Sequence, residues 1–205
     1  VADVSDSAVP LDGRRARRDR NRHLVVDAYL DLVREGVWQP SVAEVAERSG
    51  VSHRSVFRYF ADRDELVRTA IEHQHRIARP AAALSVRPRD DFDERLGAYV
   101  DMKLRLFEVL GPVARLARSL ALTEPLVGDE LRRVRAALRE QLEWLFSTEL
   151  DAMEPATRAT ALAGADALCS FETVSLLVDD QGLTRKAAAI VVTDGLRAFL
   201  GRARD

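Results

Sequence analysis

Residues 41–66 read SVAEVAERSGVSHRSVFRYFADRDEL, and their punctuation decides the fold. Ser41 is suited to capping a helix, and Glu44, three residues on, completes a capping box. Val42, Val45 and Ala46 give that helix, expected over about 42–49, an apolar face. Gly50 stops it, because glycine enters the left-handed region that ends helices at little cost. Ser52 caps a second helix, expected over 53–60, with Val56, Phe57 and Phe60 as its apolar positions. Asp62, with Glu65 three residues later, opens another. Two short helices joined by a tight glycine turn have the form of a helix-turn-helix, whose second helix enters the DNA major groove.

Upstream, Leu24, Val25, Ala28, Leu32 and Val33 recur at helical spacing, so a helix is expected from about Arg18 to Glu35, ended by Gly36. Pro40 disfavours helix at Gln39 and leaves Ser41 free to cap. Residues 1–13 are polar and acidic, with Pro10 and Gly13, and read as a disordered tail. Arg14, Arg15, Arg17, Arg18, Arg20 and Arg22 then face only Asp19, so residues 14–22 carry +5. Placed just before a helix-turn-helix, this run reads as an arm for phosphates or the minor groove. The whole chain carries only −2, but local charge decides what a phosphate backbone feels.

Downstream, the helix opened by Asp62 runs to about Arg79, where Pro80 and PAAALSVRPRDD break the pattern. Residues 14–80 are therefore expected to form the DNA-binding domain with its basic arm, and residues 90–205 a larger helical domain. Its helices are expected over 92–110, 112–122, 130–150 and 155–180, with a last one capped by Thr184 and ending near Arg202. No strand-like alternation and no internal repeat is present, so the fold class is all-α.

Composition excludes several functions. The 205 residues, 47% hydrophobic and 31% charged, suit a globular chain able to bury a real core. No apolar window spans a bilayer and the first twelve residues lack the order of a signal peptide, which makes a cytoplasmic location the expectation. A single cysteine, Cys169, fits a reducing compartment and has no histidine near it in sequence. His73 and His75 are two residues apart on a helix and point to different faces, a poor metal pair. There is no glycine-rich phosphate loop and no nucleophile elbow, and the acidic run at residues 90–94 suits a helix N-terminus. Neither a catalytic site, nor a metal, nor a cofactor is expected.

The pattern Ser41-x-x-x-Val45-Ala46-x-x-Ser49-Gly50-Val51-Ser52, then Phe57-x-Tyr59-Phe60, then Asp62-Arg63-Asp64-Glu65-Leu66 resembles the TetR family of one-component transcriptional repressors over about residues 20–70. Val45, Ala46, Val51, Val56 and Phe60 form the small core that sets the angle between the two helices. Ser52, His53, Arg54, Ser55 and Arg58 lie on the part of the recognition helix that reaches bases. Arg54 and Arg58, one turn apart, each suit a bidentate contact to guanine or a contact to phosphate. The resemblance implies a phosphate contact for Tyr59, and Arg63 and Ser41 sit where helix termini favour phosphate. With Arg14, Arg15, Arg17 and Arg18 these residues make up the expected DNA-binding set. Two positions depart from the family pattern. Arg54 stands where a small residue is common, and Phe57 replaces a tyrosine and is read as core.

The resemblance further implies that the larger domain binds a small molecule and dimerises through the last two helices. Ala163, Gly164 and Ala167, and Ala188, Val191, Val192 and Gly195, are small or β-branched residues suited to close helix packing. Tyr99, Met102, Phe107, Trp144 and Phe171, with Cys169 nearby, are candidates to line an apolar cavity, and Glu172 is the candidate polar contact, beside Arg105 and Arg118. The expected function is a ligand-responsive repressor, released by a largely apolar effector, that binds a pseudo-palindromic operator as a homodimer. The alternative is an effector-independent architectural or co-regulatory DNA-binding dimer.

Overall fold

In the computed structural model, which describes residues 11–201, the first helix α1 spans Leu11–Arg34. It begins seven residues before the expected start at Arg18. Arginine and alanine are good helix formers, so the basic run continues the helix rather than forming an arm ahead of it. Residues 1–10, most of the expected tail, lie outside the described residues. The capping box at Ser41 forms: its hydroxyl accepts from the Glu44 amide at 3.2 Å, and the Glu44 carboxylate accepts from the Ser41 amide at 2.8 Å. It opens α2 (Val42–Ser49), which ends at Gly50 with φ of 65°. Ser52 then caps α3 (His53–Tyr59), its hydroxyl accepting from the Ser55 amide.

Next comes α4 (Arg63–Ala78). The Glu65 amide donates to the Asp62 carboxylate at 2.7 Å, while the Glu65 carboxylate reaches back to the Ala61 amide rather than to Asp62. Val45, Ala46, Val51, Val56 and Phe60 are all buried, as the sequence requires of the helix-turn-helix core. Leu24, expected in the apolar stripe of α1, is half exposed, and Tyr29 and Leu30 are buried instead. Arg48 clamps Glu35 through two bonds of 2.7 Å, tying α2 to the residue after α1. Arg22 turns inward: it donates to Glu65 and Thr69 on α4 and lies 4.9 Å from the centre of the Phe60 ring.

Two compact units divide the chain between His75 and Arg76. In the second, Asp91 caps α5 (Phe92–Leu120), which breaks at Gly111. The break falls between the two helices expected at 92–110 and 112–122, where Pro112 lacks an amide to continue the ladder. There follow α6 (Pro125–Leu145), started by Pro125 five residues earlier than expected, and α7 (Ser147–Asp151). The single helix expected over 155–180 is interrupted. α8 (Pro155–Leu168) ends at Cys169, and Ser170 adopts an extended conformation to cap α9 (Phe171–Ser175), which runs on into a π-helical turn, Leu176–Asp180. Thr184 caps the last helix, α10 (Arg185–Leu200). Among the described residues there is no strand, and no single helix is long and apolar enough to cross a membrane.

The second unit packs Tyr99, Met102, Leu142, Leu145, Phe146 and Leu196 at its centre. Its close helix pair is α8 with α10, where glycines act as sockets. A Cβ on Gly164 would lie 2.4 Å from the Phe199 ring, and one on Gly195 would lie 2.3 Å from Leu168. Both expected small residues thus serve packing within one chain.

Candidate nucleic-acid interface

Seven residues of α3 must both anchor the helix and present it. Val56, Tyr59 and Phe60 stand at i, i+3 and i+4 and turn inward, leaving Ser52, His53, Arg54, Phe57 and Arg58 exposed. Phe57 is therefore not core. It is 53% exposed, because it lies about 100° around the helix from Val56, and its ring meets the His53 ring edge-on at 5.0 Å.

On α1, Arg17, Arg18 and Asn21 share a face at i, i+1 and i+4. They meet Ser55, Arg58 and Tyr59 of α3 around a concave surface of about 530 Å³. Tyr59 is the hub of this cluster. Its ring is buried, while its hydroxyl accepts from Asn21 Nδ2 at 3.1 Å and from Arg58 at 3.3 Å. Those two donors, Asn21 first, hold the phenol below its ordinary pKa, and the charges of Arg58 and Arg17 add to the effect. Both neighbours donate to the phenol oxygen, so the phenol proton is left to be given to something else. Arg58 also lies 5.3 Å from the Tyr59 ring centre and donates to the Ser55 hydroxyl at 3.3 Å. The lining carries three guanidinium groups and no carboxylate. Such a surface is chemically matched to a phosphate oxygen.

The remaining expected residues fall outside this cluster. Arg15 is exposed on α1, and the side chain of Arg14 lies outside the described residues. The Ser41 hydroxyl is engaged with the Glu44 carboxylate at 2.7 Å, and the Ser52 hydroxyl with that of Ser55 at 3.0 Å. Arg54 is exposed on the outer face of α3, and Arg63 is partly buried in the first turn of α4. Sequence reasoning missed Asn21. Its signal was there: it follows Arg17 by four residues, so any surface taking Arg17 also takes Asn21.

In the larger unit, Tyr99 and Met102 are fully buried, and the Phe107 and Phe171 rings meet at 4.9 Å. Glu172 is exposed and bound by Arg118 at 2.8 Å and by Arg135. Arg105 pairs with Asp101. Trp144 is 52% exposed on α6 and is not brought to the others. Burial pushes the Cys169 thiol up to about 12. Among the described residues no group of histidine, cysteine and carboxylate side chains is placed to hold a metal.

Residues 32–70, which contain the whole helix-turn-helix, match the family model described as "Bacterial regulatory proteins, tetR family". Over those residues the chain is similar to the TetR family. Solved structures extend the likeness in fold to the larger unit. A transcriptional regulator from Rhodococcus sp. Rha1 superposes with a TM-score of 0.67 at 17% identity, covering 90% of this chain and 96% of its own. A protein described as a TetR-family transcriptional regulator from Rhodococcus sp. gives 0.65 at 18%, covering 88% and 99%. One described as a transcriptional regulator from Pseudomonas aeruginosa PAO1 gives 0.66 at 17%, covering 91% and 93%. No curated protein matches the chain. The chain thus joins a segment similar to that family's model to a larger unit that shares the fold of those solved structures.

Proposed function

We propose that the protein is a ligand-responsive repressor that binds a pseudo-palindromic operator as a homodimer. The observation that carries the DNA-binding part is the acid-free surface of Arg17, Arg18, Asn21, Arg58 and Tyr59 beside the exposed face of α3. In this reading Arg17, Arg18, Arg58 and Tyr59 hold phosphates, with Arg14, Arg15, Arg63 and the termini at Ser41 and Ser52 extending the backbone track. Arg54 reads a base edge, because it is exposed near the start of the recognition helix and is not tethered as Arg58 is. His53 and Phe57 lie on the same exposed side, where an aromatic edge suits a thymine methyl.

The dimer is supported by what α8 and α10 leave uncovered. Ala156, Thr160, Ala163 and Ala167 are exposed at helical spacing on α8, and Ile190 and Val191 on α10 are 55% and 42% exposed. Small residues on one helix and β-branched ones on the other suit a two-fold four-helix interface. A two-fold dimer sets the recognition helices about one DNA turn apart, roughly 34–36 Å. An effector that changes this spacing prevents both half-sites from being filled together.

Electrophoretic mobility shifts on the DNA upstream of the protein's own coding sequence test the reading. Arg54→Ala is expected to relax sequence preference at one position, by about 1–3 kcal/mol of discrimination. Arg58→Ala is expected to weaken all sequences alike and to lower the salt slope by about one. Binding that is neither sequence-selective nor salt-sensitive would refute the regulator. Selective binding that no small-molecule extract of the host cell releases would leave an effector-independent binder.

A further inference from the structure

The larger unit buries polar groups that its own fold does not use. Tyr99 is fully buried with its ring edge-on to Phe146 at 5.9 Å, and its hydroxyl has no hydrogen-bond partner among the described residues. One turn on along α5, the Lys103 ammonium lies 6.0 Å from the centre of the same ring. Lys103 is partly buried and makes no ion pair among the described residues.

Acidic groups do lie near, but they are taken. Asp166 is bound by Arg139 at 3.2 Å, and Glu172 by Arg118 and Arg135. Counting those six side chains, the neighbourhood keeps an excess of two positive charges. Burial lowers the Lys103 pKa, and it raises that of the Tyr99 phenol well above its ordinary value, with the charges of Cys169 and Asp166 adding to the latter. An unpartnered buried hydroxyl and an unpaired partly buried ammonium each cost free energy. Both are donors one turn apart on α5, with the ammonium near the ring that carries the hydroxyl. Phe107 follows Lys103 by four residues, and its ring meets that of Phe171, over which the Arg118 guanidinium lies at 4.1 Å. This aromatic pair thus begins one turn further along α5 from Lys103.

We propose that the Tyr99 hydroxyl and the Lys103 ammonium form an anion subsite, and that the effector is an amphipathic carboxylate whose apolar body lies along Phe107 and Phe171. This rests on the effector-responsive reading above. One ammonium and one hydroxyl match the two oxygens of a monoanion. A phosphate dianion would bring a second charge into surroundings of Met102, Phe107 and Phe171, at a desolvation cost this donor set does not offset.

The test uses the full chain with two carboxylates, 2-naphthoate and octanoate, and their neutral counterparts, 2-naphthamide and octanamide. At least one carboxylate is expected to raise the melting temperature by about 3 °C or more at ten times its Kd, and to release the operator. The amides are expected to do neither. Lys103→Met removes the response, Lys103→Arg keeps it, and Tyr99→Phe weakens carboxylate affinity about tenfold. The retained response of the arginine variant shows that the chain still folds around a cation at that position. Amides as effective as carboxylates, an undiminished response in Lys103→Met, or no response to either carboxylate would overturn the anion subsite. Operator release by a small-molecule cell extract, followed in parallel, judges the effector reading separately. Release by extract without a carboxylate response removes the subsite alone, and no release by any of them removes both.

Discussion

Arg95 and Glu149 offer a quantitative test of how the larger unit is held together. Their side chains are 3% and 7% exposed and meet through two parallel bonds, 2.9 Å and 2.6 Å long. Arg95 also donates from Nε to the Asp90 carbonyl at 3.0 Å and from a terminal nitrogen to the Leu145 carbonyl at 2.9 Å. The rings of Phe92 and Phe146 flank the guanidinium at 5.6 Å and 5.3 Å. Replacing Glu149 with leucine leaves that cation buried with carbonyl partners only, a loss of about 3–5 kcal/mol. Arg95→Met strands a carboxylate instead, which is able to take up a proton, so about 2–4 kcal/mol is expected. The double variant removes both charges and restores an apolar contact, so its loss is expected to fall below that of either single variant. The resulting coupling energy is about 3 kcal/mol or more. Urea unfolding reads it through Trp144, one residue from Leu145 on α6, in a Trp38→Phe background that silences the other tryptophan. Single-variant losses below about 1 kcal/mol, or losses that simply add, would refute the view that the pair acts as one buried unit.

Three further outcomes follow from local geometry. Gly50→Ala is expected to cost the first unit about 1 kcal/mol from backbone strain alone, since φ is 65° there and a Cβ would meet nothing within 4 Å; unchanged amide exchange protection in α2 and α3 would contradict it. Gly164→Ala places a methyl against the Phe199 ring and is expected to lower stability by about 1–3 kcal/mol, read as a drop in melting temperature. Cys169 favours its neutral thiol when folded, with a pKa raised from 9.0 to about 12. Its contribution is thus full below pH 9 and is lost as pH rises from 9 towards 12, at about 1.4 kcal/mol per unit. Urea midpoints across that range are expected to fall less steeply in Cys169→Ala, and equal slopes would refute the assignment.

The parts of this molecule legible in its sequence are those fixed by bonds a few residues long. The Ser41–Glu44 box, the Gly50 stop and the Ser52 cap are local hydrogen bonds and one backbone conformation, and each forms where its residues stand. The break at Gly111 was legible for the same reason. The cap at Ser170 was not: a serine inside an apolar helical run carries no outward sign that it will be extended. Phe57 fits a core stripe with Val56 and Phe60 only while Tyr59 is left out of it. Once Tyr59 is admitted to the core, Val56, Tyr59 and Phe60 complete the stripe and Phe57 has no place in it. The meeting of Arg17 and Arg18 with Arg58 required knowing how α1 lies against α3, which no periodicity within either helix encodes. Nothing in the sequence marks Lys103, since only the packing of α5 beside Cys169 reveals its burial.

The net charge of −2 conceals a division of labour among arginines. In the first unit, six acids among the described residues already have a partner within it. Glu35 is held by Arg48, Asp31 by Arg34, Glu65 by Arg22 and the Ala61 amide, and Asp27 by His73. Asp62 and Glu44 are spent on helix caps. Exposed pairs of this kind contribute little stability each, roughly 0–1 kcal/mol. Their larger effect is to remove acids from competition, so the field near α3 is set by the arginines left over. Arg17, Arg18 and Arg58 converge there with no carboxylate among them, and their mutual repulsion is relieved only when an anion arrives. A surface that is costly alone and satisfied by phosphate favours the bound state without any surplus of positive charge on the chain as a whole. The arrangement of the acids therefore matters as much to DNA binding as the number of arginines.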